Sequence, residues 1–223
     1  IADYLIKPVN PNQVLLSIKK NVHSQQLVTE QTTADYRSEF GRISSQLQMA
    51  DSFADWCSLY RKLTTWEIEL SESSDQSIRE VLTYQKSEAN QEFCKFVRRN
   101  YYDWINKRDE TTPVMSHTLM RSKIFPVADE NPKTTLLLID NFRYDQWRSI
   151  SSLLRGYYDV VLDDFYCAIL PTATQYARNA IFAGLMPLAI DKLMPDKWLN
   201  DNEEGGKNQY LSLIHISEPT RRS

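Results

Sequence analysis

The apolar positions of the chain change their period along its length. Tyr4-Leu5-Ile6 is a short run of strand-favouring residues, and Pro8 stops it. Asn10-Pro11-Asn12 then marks a helix start, because a first helical turn tolerates proline. Val14, Leu15, Ile18 and Val22 follow at helical spacing. The helical period persists over residues 23–110. Phe40, Ile43, Leu47 and Met49 make one stripe, and Phe53, Trp56, Cys57, Tyr60 and Leu63 a second. Ile78, Val81, Leu82 and Tyr84 begin a third, which runs on through Phe93, Phe96, Val97, Tyr101, Trp104 and Ile105. Asp51 or Ser52 is placed to cap the second helix, and the polar stretch 71–77 breaks the pattern after it. A bundle of three or four helices accounts for these stripes, with the aromatic residues as its core. Residues 111–132 read as a connector. Pro113, Pro126 and Pro132 each disfavour helix at the residue before them, and His117 is expected there as exposed polar surface.

Past residue 133 the pattern shortens. Residues 134–139 form a continuous apolar run, as in a parallel strand buried on both faces, and Asp140 follows at its end. A helix is expected over 145–154, with Trp147, Ile150, Leu153 and Leu154 facing inward and Gly156 suited to its stop. Residues 157–162 and 165–170 are further strand candidates. Pro171-Thr172-Ala173-Thr174 then leads into another helix. Strand, helix, strand is the order of an α/β sheet. The expected fold is therefore α/β overall with an all-α middle, divided at 1–22, 23–132 and 133–210.

The end of the chain changes the inventory. The string from Leu211 to Arg221 resembles one reading frame of a transposase-type sequencing adaptor, so residues 211–223 are set aside as an artefact and the natural protein is expected to continue differently. That removes Arg221 and Arg222 from 26 basic residues and Glu218 from 29 acidic ones, leaving 24 against 28 and a net charge of −4. A mildly acidic chain without a basic block is not built to coat nucleic acid. The 42% hydrophobic and 25% charged composition is that of a soluble globular protein, and the longest apolar runs are too short to insert in a membrane. Cys57, Cys94 and Cys167 lie far apart and form neither a metal-binding pair nor a disulfide framework, which suits reduced thiols in the cytoplasm.

Two motifs carry the chemistry. Leu138-Ile139-Asp140-Asn141-Phe142-Arg143-Tyr144-Asp145 puts a carboxylate where an apolar run ends. Leu170-Pro171-Thr172-Ala173-Thr174-Gln175-Tyr176-Ala177-Arg178 puts hydroxyls at a helix start. A carboxylate and a nearby helix-terminal hydroxyl can together hold a metal and a nucleophile. The pair resembles the amino-terminal half of a PglZ domain, a branch of the alkaline phosphatase superfamily. The resemblance implies Asp140 as a metal ligand and Thr174 as the nucleophile, with Thr172 as the rival. It also implies two zinc ions, with further Asp and His ligands later in the domain. Either threonine can instead simply cap the helix. Arg143 suits a bidentate phosphate contact but can equally pair with Asp145. Arg178 lies one helical turn after Thr174 and suits a phosphate contact or a structural ion pair.

The segment Ala2-Asp3-Tyr4-Leu5-Ile6-Lys7-Pro8-Val9 resembles the last strand of a two-component receiver, a flavodoxin-like fold. The resemblance implies that Lys7 reaches the phosphoryl group of an acceptor aspartate and that Tyr4 is the aromatic switch. A receiver end, a helical bundle and a PglZ start together resemble the PorX-type response regulators of Bacteroidetes. That resemblance implies a sensor histidine kinase as partner, a homodimer on phosphorylation, and a zinc-dependent phosphodiesterase or phosphatase output acting on nucleotide-type substrates. It also implies a link to type IX secretion and gliding. In the alternative, the PglZ module is non-catalytic and binds a transcription or secretion partner.

Overall fold

The computed structural model describes residues 11–71, 73, 75–107, 109–139 and 141–198. Two compact units divide the chain. The first comprises Ile1–Ile105 with Asn141–Val160, and the second Asn106–Asp140 with Val161–Ser223.

Long helices build the first unit: α1 (Pro11–Met49), α2 (Phe53–Ser71) and α3 (Gln76–Asn106). α1 opens at Pro11, where a missing N–H costs nothing. It then runs unbroken past residue 22, into the bundle. Ser52 and Asp55 form the reciprocal cap of α2. The Asp55 N–H donates to Ser52 Oγ at 3.2 Å, and the Ser52 N–H donates to Asp55 Oδ2 at 3.0 Å. These hydrogen bonds, that of the Ser52 hydroxyl foremost, hold the Asp55 carboxyl below its ordinary range. Asp75 starts α3 in a similar way, accepting from the Ser77 N–H at 3.0 Å.

The bundle core draws on the expected stripes, joined by Leu59. Ile43, Leu47, Trp56, Leu59, Leu63, Ile78, Leu82, Phe96 and Trp104 are buried. Trp56 lies 5.4 Å from Phe93 and 5.9 Å from Phe96, and Phe96 lies 5.5 Å from Trp104. Such tilted and edge contacts are the favoured aromatic geometries. Met49, Tyr60, Val81, Tyr84, Ile150 and Leu153, from the predicted apolar stripes, are exposed instead; Met49 and Leu153 lie in the last turn of their helices. Gln85, fully buried, ties α1 to α3. Its Oε1 accepts from the Tyr36 hydroxyl at 3.0 Å, and its Nε2 donates to Phe40 O and Ser44 Oγ, both at 3.1 Å. A buried amide tolerates the interior only when its donors and acceptor are matched in this way. A further helix, α6 (Tyr144–Leu154), packs on α2 within the same unit.

The second unit contains α4 (Ser116–Leu119), a π turn (Met120–Ile124) and α5 (Phe125–Glu130). It also contains α7 (Thr174–Ala183), α8 (Pro187–Leu193) and a 3-10 turn (Pro195–Lys197). The expected connector over 111–132 is thus helical from Ser116 to Glu130. Pro126 does not prevent this, because it falls in the first turn of α5. α4 packs against α7. Met115 and Cys167 form an isolated parallel bridge, with the Cys167 N–H donating to Val114 O at 2.8 Å. The Ile169 N–H donates to Ser116 Oγ at 3.1 Å. Gly184 closes α7 in the left-handed region at φ 64°, and its N–H returns to Ala180 O at 3.0 Å.

The expected strands are not formed among the described residues. Residues 134–139 and 157–162 carry no strand pairing, and their apolar side chains face solvent, with Leu137 77% and Val161 94% exposed. A parallel strand exists only when neighbours take its N–H and C=O groups and cover both faces, and the described residues supply no such neighbours. The third candidate, 165–170, is partly in place, since Cys167 and Ile169 are buried beside Met115 and Ser116. The described chain is therefore mostly helical.

Candidate functional site

The second motif is ordered around α7. Leu170–Pro171 is a cis peptide bond. Thr172 is exposed, Ala173 is the N-cap at φ −62° and ψ 145°, and Thr174 is the first residue of the helix. Ala173 provides no side-chain cap, so the two threonines flank the cap position without occupying it. The side chain of Thr174 lies outside the described residues. Position alone puts it at the positive end of the helix dipole. An alkoxide or phosphate oxygen is favoured there. Arg178 follows one turn later and is half-buried. Asn179, next to it, is fully buried.

Of the first motif, Leu138, Ile139 and the residues from Asn141 onward are described; Asp140 lies outside the described residues. Asn141 adopts φ 57°, a left-handed conformation that asparagine tolerates better than most residues. Arg143 is the N-cap of α6, and its N–H donates to Gln146 Oε1 at 3.0 Å. Its guanidinium grips Asp145 with two hydrogen bonds, Nε to Oδ1 at 3.0 Å and Nη2 to Oδ2 at 2.7 Å. The Arg143 hydrogen bond accordingly holds the Asp145 carboxyl below its ordinary range, and Asp145 raises Arg143. Of the alternatives open for Arg143, the pairing with Asp145 is formed. Arg143 belongs to the first unit, and Thr172, Thr174 and Arg178 to the second.

Lys7 and Tyr4 lie outside the described residues. Asp164 accepts from Lys123 Nζ at 2.8 Å. Among the described residues no three His, Cys, Asp or Glu side chains gather to hold a metal ion, so they do not by themselves make up a zinc site. His117 corrects the expectation of a surface residue: it sits in α4 and is 9% exposed, because that segment folds into helix against α7. Ser116, also missed, is fully buried and holds the Ile169 amide. Its signal lay in the apolar Val114-Met115 pair just before it.

Comparison with protein families gives two matches in series. Residues 26–105 match the PorX response regulator linker domain. Residues 119–216 match the BREX system PglZ alkaline phosphatase-like domain. This is the order of a PorX-type response regulator with a PglZ domain. No curated protein matches the chain. The linker match takes in the aromatic core of the bundle, and the phosphatase-like match takes in α6, α7 and both motifs. It starts within the 111–132 segment and ends inside the adaptor-like tail. Two successive segments of the chain are thus similar to a response-regulator linker and to a phosphatase-like domain. Among the described residues no helix is long and apolar enough to cross a membrane.

Proposed function

We propose that the phosphatase-like module is a metal-dependent phosphodiesterase or phosphatase acting on nucleotide-type substrates, under the control of a phosphorylated receiver. Its sheet is of the alkaline phosphatase type. Thr174 is the nucleophile, with Thr172 as the alternative. Asp140 is a ligand to one of two zinc ions, and Arg143 and Arg178 contact the substrate phosphate. Lys7 and Tyr4 belong to the receiver switch. A sensor histidine kinase supplies the phosphoryl group, phosphorylation favours a homodimer, and the protein works in the cytoplasm in connection with type IX secretion and gliding.

The observation that carries this reading is the start of α7. Thr174 opens the helix directly behind an alanine cap, so its residue position is not the one a capping hydroxyl takes. A hydroxyl at a helix N-terminus is favoured as an alkoxide. Attack by that oxygen on phosphorus, with loss of the ester oxygen and later hydrolysis of the phosphothreonine, splits one hard displacement into two easier ones. Arg178, one turn later on the same helix, supplies a cation for the phosphoryl oxygens.

The test uses a protein that includes the later Asp and His ligands and a chromogenic phosphodiester with added zinc. Thr174→Ser is expected to keep partial activity, and Thr174→Asn to fold normally and lose it. Thr172→Ala is expected to lose much less. An active Thr174→Asn beside a dead Thr172→Ala identifies Thr172 as the nucleophile. Full activity in both removes the covalent mechanism, whereas no turnover by the unchanged protein favours a non-catalytic module that binds a transcription or secretion partner.

A further inference from the structure

Tyr60 and Tyr144 join the two matched segments. Tyr60 lies on α2, within the linker match, and Tyr144 opens α6, within the phosphatase-like match. Both belong to the first compact unit. Their ring centroids are 5.8 Å apart, with the planes inclined at 40°. The residue before Tyr144 is Arg143, tied into the same first turn by several bonds. Its N–H reaches Gln146 Oε1 at 3.0 Å, its carbonyl accepts from the Trp147 N–H at 3.0 Å, and its guanidinium forks onto Asp145. Asp145 and Arg143 both lie within electrostatic reach of the Tyr60 phenol, as does Glu67 on α2. The fork occupies Nε and one Nη2 hydrogen. The remaining N–H donors of the guanidinium are uncommitted to that carboxylate. A guanidinium fixed along one edge can offer the other to an anion with little further loss of freedom.

We infer that α2 of the linker is the seat that positions the Arg143 guanidinium, through the Tyr60–Tyr144 ring contact, so that the linker holds in place a phosphate-contacting group of the phosphatase-like module. This rests on the role of Arg143 proposed above. Tyr60 touches no substrate; it is a positioning residue. Losing its ring frees the first turn of α6 and with it the fork. Losing only its hydroxyl leaves the seat intact.

The experiment uses the same protein that includes the later Asp and His ligands, with Tyr60→Ala, Tyr60→Phe, Arg143→Ala and the double variant Tyr60→Ala/Arg143→Ala. Amide hydrogen exchange over residues 143–154 is expected to speed up by roughly two- to tenfold in Tyr60→Ala, the range that loss of one aromatic pair gives, and to stay unchanged in Tyr60→Phe. Calorimetric titration with inorganic phosphate is expected to show weaker binding in Tyr60→Ala and in Arg143→Ala, no further weakening in the double variant, and full affinity in Tyr60→Phe. Unchanged exchange in Tyr60→Ala overturns the inference. So does unchanged phosphate affinity in Tyr60→Ala when Arg143→Ala weakens it, and in that case the role of Arg143 survives. Phosphate that fails to bind, or that binds Arg143→Ala as well as the unchanged chain, removes the role of Arg143 and the inference with it. If Tyr60→Ala unfolds the bundle, Tyr144→Ala breaks the same contact from the other side and is read by the same two measurements.

Discussion

Replacing Tyr36 with phenylalanine separates two contributions of one buried hydroxyl. Tyr36 is fully buried, and its hydroxyl donates to Gln85 Oε1 at 3.0 Å. Tyr36→Phe keeps the ring and leaves that buried oxygen without its donor, which costs about 1–3 kcal/mol near neutral pH. At alkaline pH the sign changes. Burial pushes the Tyr36 phenol from 10.0 up to about 12, so the folded chain resists forming the phenolate. A group raised in this way contributes its full stability below pH 10 and loses it as the pH rises from 10 towards 12. A rise of that size corresponds to roughly 2–3 kcal/mol. The phenylalanine chain has no phenol at position 36 and escapes that loss. Urea unfolding followed by far-ultraviolet circular dichroism, at steps between about pH 8 and pH 12, measures the gap between the two chains. It should be constant up to about pH 10 and close, or reverse, by about pH 12. Every other tyrosine and lysine titrates in both chains and cancels. A gap that stays the same across this range refutes the account of Tyr36 as a buried neutral donor.

Ser116→Ala leaves the buried Ile169 N–H without its acceptor and is expected to cost about 1–3 kcal/mol, read as a lower urea midpoint and faster exchange of the Ile169 amide. Gly184→Ala meets no steric block, since an added Cβ would lie 3.8 Å from His117 O, so the expected loss is the roughly 1–2 kcal/mol of holding an L-residue at positive φ, seen as a lower thermal midpoint. Residues 23–110 expressed alone are expected to melt cooperatively, because their core contacts are made within the bundle; a broad, non-cooperative melt would show that α6 is needed to hold α2.

Legibility from sequence followed the range over which each element finds its partners. Ser52 capping α2 and Pro11 opening α1 are decided within one turn of chain, so composition and spacing suffice. The bundle core repeats at helical spacing, and Trp56, Phe96 and Trp104 lie where that spacing puts them. Thr174 as the first residue of a helix is likewise local. Gln85 was invisible, because the groups that match its amide lie more than forty residues away on α1. His117 was misread because three prolines suggested an open connector, whereas Pro126 sits where helices accept proline. Residues 134–139 have the composition of a buried strand, but a strand is a property of its neighbours, and apolar composition alone does not provide them.

The continuity of α1 has a geometric consequence. At about 1.5 Å per residue, its 39 residues span roughly 58 Å as one rod. A helix is also a screw, and each residue advances the azimuth by about 100°. The stripe of Tyr36, Ile43 and Leu47 fixes the rotational phase of this rod where it enters the bundle. The same phase therefore governs which way its opening turns at Pro11 face, with no loop between to let it slip. One residue inserted near position 25 would swing that end by about a quarter of a circle, whereas a seven-residue insertion would nearly restore it. The register of this helix is in that sense a gear setting between whatever is mounted at its start and the bundle at its end.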